Sequence, residues 1–339
     1  MSAIVSSPTT PSQQPADIAA KAHHNKHGKG FINPWPSYVE QSGLQIGAKI
    51  LKMRVTGQWK DPDTTPPTVP IVKPHFLPTR QTEKLRATWL GHACYYVEFP
   101  GGLRVLFDPV FTERCSPYRR IAKKHPNAHY FVGLGNKPWF KHMGLDDTHV
   151  TEMDWWEEKT FTLSAQNQPD ISATIGCLPC QHTSARTAFD KAHTLWASWS
   201  ITSGSKKIWF GGDTGYRTVP SLPADEFDYG EKYSDLPHCP AFAQIGELRG
   251  PFDLGLIPIG AYDPRSIMSP MHANPYDSVN IFVDTKCKKA LGIHWGTWVL
   301  TSEEVMEPPR VLKKALKWKG IEDGSVFGTC DIGESREIE

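Results

Sequence analysis

Three apolar runs in this 339-residue sequence end on side chains that bind protons or metal ions. Ile208-Trp-Phe-Gly-Gly leads into Asp213, Leu178-Pro-Cys-Gln into His182, and Ala290-Leu-Gly-Ile into His294. Runs of that length read as buried strands. Imidazole and carboxylate at strand ends are how α/β proteins hold a borderline metal over a sheet edge. A single such histidine is more simply a hydrogen-bonded core residue; the ordered set of three is what points to a metal. Glycines on either side of Asp213 let backbone or ligand approach closely. His272, in Pro270-Met-His-Ala-Asn-Pro, reads equally as an active-site imidazole and as a histidine beside a helix N-cap. Two other groups have weaker claims. His23, His24 and His27 are spaced to clasp a metal on a helix, but Gly28 and Gly30 follow at once, and a polar tail is the plainer reading. Cys177-Leu-Pro-Cys180 lacks the second pair that a zinc knuckle needs, so two ordinary thiols are expected.

The elements that must position these residues are legible from about residue 86. Segments 86–91, 94–99 and 103–108 read as short strands, the last two joined through Pro100-Gly101-Gly102. Further strands are expected at 129–133, 160–164, 171–178, 195–202, 206–211, 252–259 and 289–294. Asn274-Pro275 is an N-cap followed by proline at the first helical position and opens a helix through Asp284. Another is expected over 310–318, after Pro308-Pro309. Its Arg310, Lys313, Lys314 and Lys317 could meet anionic lipid, although a helix covering a sheet with its charges in water is the simpler reading. Antiparallel strands first, then strands alternating with helices, imply a layered α/β sandwich. Residues 1–30 read as a disordered tail, 31–85 as an arm with a proline-rich stretch, and 86–339 as the domain. Within it, 217–238 reads as an acidic, solvated insertion loop.

Composition narrows the class. Lys+Arg 37 against Asp+Glu 36 gives no electrostatic case for nucleic acid. Seven scattered cysteines, an odd number, are unlike a secreted disulfide framework. No apolar run has the length of a membrane span, and the first residues lack a basic stretch followed by an apolar one. Intracellular residence is expected, cytoplasmic or peripherally membrane-associated.

Beyond the three strand ends, several segments together resemble the metallo-β-lactamase superfamily, and within it the family of phospholipases D that hydrolyse N-acylphosphatidylethanolamine. They are Asn33-Pro-Trp-Pro-Ser, Trp89-Leu-Gly-His-Ala, Phe107-Asp-Pro-Val-Phe, Asp154-Trp-Trp-Glu-Glu, Trp196-Ala-Ser-Trp-Ser, Gly212-Asp-Thr-Gly-Tyr, Ile257-Pro-Ile-Gly-Ala-Tyr-Asp-Pro-Arg265 and Ile293-His-Trp-Gly-Thr. The resemblance implies an αβ/βα four-layer sandwich with two Zn2+ ions. It also implies cleavage of the phosphodiester to N-acylethanolamine and phosphatidic acid. Carried over by motif, Asp213 is a catalytic, bridging metal ligand, and His182 and His294 each complete one metal site. His272 is a catalytic and substrate-binding residue at the phosphate, with Tyr262 and Arg265 as further substrate contacts. The implied partner is phospholipid at a membrane surface, with a homodimer left open.

The sequence departs from the family in one place. The defining His-x-His-x-Asp-His string is absent from the 14 histidines. The chain passes from Phe107-Asp-Pro-Val-Phe through Thr112-Glu-Arg-Cys-Ser-Pro-Tyr-Arg-Arg120 directly to Ile121-Ala-Lys-Lys-His-Pro, as though a strand, the metal loop and most of a helix were excised near residues 119–121. Each ion would then have two protein ligands where catalytic zinc takes three and a water. A first half truncated in this way leaves three readings: a phosphodiesterase impaired in this form, a lipid-binding protein without turnover, or a splice or gene-model product.

Overall fold

The computed structural model describes residues 2–10, 12–16, 21–61, 64–110, 125, 127–185, 187, 190–223 and 226–339. The expected excision point lies outside them. In chain order the strands are β1 (Ser2–Ser6), β2 (Leu85–Trp89), β3 (Tyr95–Glu98), β4 (Arg104–Phe107), β5 (Tyr130–Gly133), β6 (Val150–Met153), β7 (Glu158–Ser164), β8 (Ile171–Leu178), β9 (Ser198–Ser203), β10 (Lys206–Phe210), β11 (Leu254–Pro258), β12 (Ala290–Ile293), β13 (Phe327–Gly328) and β14 (Ser335–Ile338). The helices are α1 (Gly43–Val55), α2 (Lys137–His142), α3 (Ala241–Leu248), α4 (Arg265–Met268), α5 (Pro275–Asp284) and α6 (Glu307–Trp318).

Eight strands form one sheet in the order β1-β7-β8-β9-β10-β11-β12-β13, and four form a second in the order β14-β2-β3-β4. Strands β10 to β13 are parallel, so each crossover must lay a helix on the sheet. Burial on both faces is why Leu254–Pro258 and Ala290–Ile293 read as unbroken apolar runs. Helix α5 packs against α3, α6 and β11, and α2 lies against β6. Trp89 stacks on Trp295 at 5.1 Å and Phe107 on Phe210 at 4.6 Å, within one apolar core shared by both sheets. This is the expected αβ/βα sandwich. Among the described residues, no helix is long and apolar enough to cross a membrane.

Four expectations need correction. The first thirty residues are not simply a tail: Ser2–Ser6 adds β1 to the free edge of β7, where Ser-Ala-Ile-Val-Ser satisfies otherwise unpaired backbone groups. His23 is buried. Residues 217–238 are more than a solvated loop, because Arg217 and Asp228 are buried and Tyr229 Oη donates to Asp277 on α5 at 2.5 Å. Phe227, Tyr229, Tyr276 and Trp318 form one aromatic cluster there. Helix α6 starts at Glu307, with both prolines inside its first turn, where their missing N–H groups cost nothing. It buries Leu312, Ala315 and Leu316.

Strands β5 and β6 form a separate parallel pair. Among the described residues β4 is paired only with β3 and β5 only with β6. Among the described residues the smaller sheet therefore ends at β4 and β5 opens a separate pair, on either side of the place where the sequence departs from its family.

Candidate metal centre

Strands β8 and β10 run the same way, each antiparallel to β9 between them, and β11 and β12 continue that direction. Their carboxyl ends therefore lie along one sheet edge, and the residues that follow them meet there. Asp213 Oδ1 lies 3.2 Å from His294 Nε2. The His272 ring is 5.2 Å from that of His182 and 5.1 Å from that of His294.

Backbone stitching holds these loops in register. Gly215 N donates to Gln181 O at 2.7 Å, Gln181 N to Thr214 Oγ1 at 2.9 Å, and Ala273 N to Thr214 O at 2.8 Å. The residues beside His182, Asp213 and His272 are thus joined pairwise. Gly215 is required by proximity, since a Cβ there would sit 2.4 Å from Pro270 O. On the other side, a Cβ on Gly260 would sit 2.4 Å from His294 O. The arm closes the back of the site, with Asn33 Nδ2 donating to His182 O at 2.7 Å and Ser37 Oγ to Gln181 Oε1 at 2.6 Å.

The charge states of Asp213 and His182 suit ligation. Burial alone would raise the Asp213 carboxyl, but His294, its hydrogen bond, His182 and His272 outweigh that and hold it well below the usual carboxylate range. Burial lowers His182 and drives His272 well below an ordinary imidazole, so both are neutral. His294 goes the other way: burial opposes its charge, but Asp213 raises it. His182 Nδ1 donates to Thr183 O at 2.6 Å, which leaves the lone pair on Nε2. That Nε2 atom is buried and has no hydrogen-bond partner. A backbone carbonyl fixing the tautomer, with the other nitrogen bare, is the arrangement of a metal-ligating histidine.

A model of the beta-lactamase superfamily domain matches residues 119–228 and 233–295, slightly more than half of the chain. The chain belongs to the metallo-β-lactamase superfamily. The N-acyl-phosphatidylethanolamine-hydrolyzing phospholipase D 1 of Caenorhabditis elegans is 30% identical over 360 residues, covering 91% of this chain and 92% of that one. The mitochondrial N-acyl-phosphatidylethanolamine-hydrolyzing phospholipase D of Saccharomyces cerevisiae is 29% identical over 273 residues, covering 70% of this chain and 53% of that one. Among solved structures, Igni18, a metallo hydrolase from the archaeon Ignicoccus hospitalis, is 13% identical, covers 76% of this chain and 99% of its own, and gives a TM-score of 0.48.

The residues present fit a superfamily metal in kind but not in number. His182, Asp213 and His294 converge, and buried ring nitrogens on His182, His272 and His294 lack partners, an expensive arrangement unless something pairs with them. Yet no three donor atoms of this set lie within 4.8 Å of one another; among the described residues only His23, His24 and Asp154 do so.

Two neighbours went unremarked in the sequence except as parts of motifs. His92 lies 4.3 Å from the His294 ring and 4.8 Å from Trp298, and its carbonyl accepts from His294 N at 3.1 Å. Burial and then His294 lower its imidazole to about 4. Asp108, although exposed, is pushed up to about 7 by the protein crowding it and by Asp213. His92, Asp108, Ala261 and His294 all adopt positive φ, at 52°, 34°, 61° and 59°. Non-glycine residues rarely do so, and such strain gathers at functional sites. A histidine after a Gly, and an aspartate before a Pro, at strand ends were the available signals.

Tyr262 and Arg265, expected at the substrate, are held by carboxylates, and Arg265 Nη1 also donates to His272 O at 3.4 Å. Tyr262 Oη donates to Glu307 Oε1 at 2.6 Å, and Arg265 Nη2 pairs with Asp228 at 2.9 Å and Asp277 at 2.8 Å. Cys177 and Cys180 are free, buried thiols that burial pushes well up, so neither offers thiolate to a metal.

Proposed function

We propose that this chain comes from a lineage of zinc-dependent phosphodiesterases acting on N-acylated phospholipids, and that it retains the phosphate-facing half of that site while turnover is impaired. The carrying observation is that His182, Asp213, His272 and His294 still share one sheet edge in a chain 30% identical to a nematode phospholipase D across nearly the whole of both. The alignment with that relative, 360 residues, is longer than this 339-residue chain, so the relative has segments without a counterpart here. The split between β4 and β5 supports a missing strand at that point.

Each retained group has a task at a phosphodiester. Asp213 is ionised and His182 neutral, the states a metal requires. His272 is neutral at ordinary pH, with Nδ1 buried and unpaired, and can hydrogen-bond a phosphoryl oxygen. Bound zinc would supply an activated water and neutralise charge on the phosphoryl oxygens. Phospholipid at a membrane surface is the partner this reading requires.

The test is repair. Grafting the strand and metal loop of a related enzyme between Arg120 and Ile121 should restore zinc uptake and release of N-acylethanolamine together, and Asp213→Ala in the repaired protein should abolish both. A repaired chain that takes up zinc yet cleaves no N-acylated phospholipid would overturn the substrate assignment. The count of two ligands per ion favours a second reading, a lipid-binding protein without turnover. That reading requires the unrepaired chain to bind N-acylated phospholipid and to lose binding in His272→Ala.

A further inference from the structure

We infer that His23, His24 and Asp154 form a separate zinc-type site that staples the N-terminal arm to the large sheet. Asp154 follows β6 and precedes β7, where residues 154–157 make a tight turn: Glu157 N donates to Asp154 O, and Glu157 Oε2 accepts from Asp154 N at 3.0 Å. His23 Nε2 lies 2.7 Å from Asp154 Oδ1 and His24 Nε2 lies 2.8 Å from Oδ2. Asp154 and His23 are buried, whereas His24 is half-buried and leaves a side open for water. The His23 ring is locked by stacking on Trp155 at 4.3 Å. Two imidazoles and a carboxylate with one open side is a donor set that zinc takes.

His27, the third histidine of the run, stays in solvent; a carboxylate 127 residues further along takes its place. No spacing in the sequence could show that.

Without an ion, both Nε2 atoms carry protons that point at the carboxylate. Ion uptake displaces each of these protons, to Nδ1 of the same ring or to water, so that two lone pairs turn inward. Zinc bonds of about 2.0–2.2 Å require each N···O pair to open by roughly half an ångström, within ordinary side-chain movement. Trp155 N donates to Oδ1 at 2.9 Å and Lys21 Nζ to Oδ2 at 3.0 Å. Lys21 is 59% exposed and can swing away.

The site is independent of the strand-end histidines but mechanically joined to them. Past His24, Ile32 N donates to His23 O and Phe31 N to Ala192 O. The arm then reaches Asn33 and Ser37, which hold the His182 carbonyl and Gln181.

The experiment is metal analysis of the full-length chain after zinc loading and dialysis, with cobalt(II) substitution to read the ligand field. About one zinc per chain is expected, retained in the His182→Ala/Asp213→Ala double variant and reduced at least tenfold in His24→Gln. His24 is half-buried, so this variant should fold; circular dichroism checks that. Cobalt should give a tetrahedral visible spectrum in the wild type and not in His24→Gln. Proteolysis should cut the arm before residue 33 faster once zinc is stripped. The inference is overturned if no zinc survives dialysis, or if zinc survives in His24→Gln and disappears in the double variant. The last result would place the ion at the strand ends.

Discussion

Replacing Asp277 by Asn tests how the loop over 217–238 is tied to the site. Asp277 is fully buried on the first turn of α5. Its carboxylate faces Arg265 Nη2 at 2.8 Å and Arg217 Nε at 3.8 Å, and accepts from Tyr229 Oη at 2.5 Å and from Asn274 N at 3.1 Å. Asparagine keeps the size and can still accept from Asn274, so the change isolates the charge. Removing one partner of a buried ion pair costs about 3–5 kcal/mol, because the remaining charge is stranded. Asp228 still pairs with Arg265, which puts the expected loss at the lower end, about 3 kcal/mol. With a urea m-value near the upper end of about 1–3 kcal/mol/M, the unfolding midpoint should fall by about 1 M. Arg265→Met alone should also cost stability, since it strands Asp228, and the two losses together should fall short of their sum because both remove the same Asp277–Arg265 pair. A loss under about 1 kcal/mol, or strict additivity of the two changes, would refute the claim that this carboxylate anchors the loop.

Gly215→Ala should destabilise the chain by about 2–3 kcal/mol, because the new Cβ would meet Pro270 O at 2.4 Å and Ser269 O at 2.7 Å. Urea unfolding reads the loss, and the same push should part His272 from His182. Tyr262→Phe should cost about 1 kcal/mol through the bond to Glu307 and leave lipid binding by a vesicle assay unchanged; a large binding defect would return Tyr262 to the substrate. Acid should release the arm: burial opposes the charge on Asp154, but hydrogen bonds from His23, Lys21 and His24 depress its carboxyl. A depressed folded value means its contribution is complete above the ordinary carboxylate pKa of about 4 and disappears as pH falls through the folded value. Fluorescence of Trp155, stacked on His23, should follow that loss, and Asp154→Asn should remove the transition.

What was legible in the sequence follows from how local each signal was. Strands β8, β10 and β12 announce themselves as apolar runs, each followed within four residues by His182, Asp213 or His294, so the metal edge was readable. The contacts of Tyr262 and Arg265 were not, because they are made with carboxylates distant in sequence: Glu307, Asp228 and Asp277. Strand β1 was missed since Ser-Ala-Ile-Val-Ser is too short to stand out from a polar segment, and its pairing depends on the free edge of β7. Residues 217–238 looked solvated by composition, yet the burial of Asp228 is set by Arg265, which no periodicity foretells. Helix α1 was passed over for a related reason. It has a capping box at Ser42 and Gln45, but buries no residue, so it carries no strong apolar stripe.

On the proposed reading, a segment missing between β4 and β5 would leave the other half of the site standing. The strands that carry His182, Asp213 and His294 all belong to the eight-stranded sheet, whose parallel strands β10 to β13 are joined by the crossovers that carry α3, α5 and α6. None of those connections passes through the smaller sheet. His272 sits between β11 and β12 and is placed by the same crossovers, with Ala273 N on Thr214 O as its tie. A loss confined to the seam between β4 and β5 therefore removes donors from the metal edge without moving the ones that remain. Their strain is kept as well: His294 holds its positive φ through a backbone bond to His92, which is positioned in turn by Trp89 Nε1 and Thr297 Oγ1 at 2.8 and 2.6 Å. On that reading phosphate recognition and turnover should separate in this chain, and phosphate binding that is lost in His272→Ala in a chain without phosphodiesterase activity is the expected result.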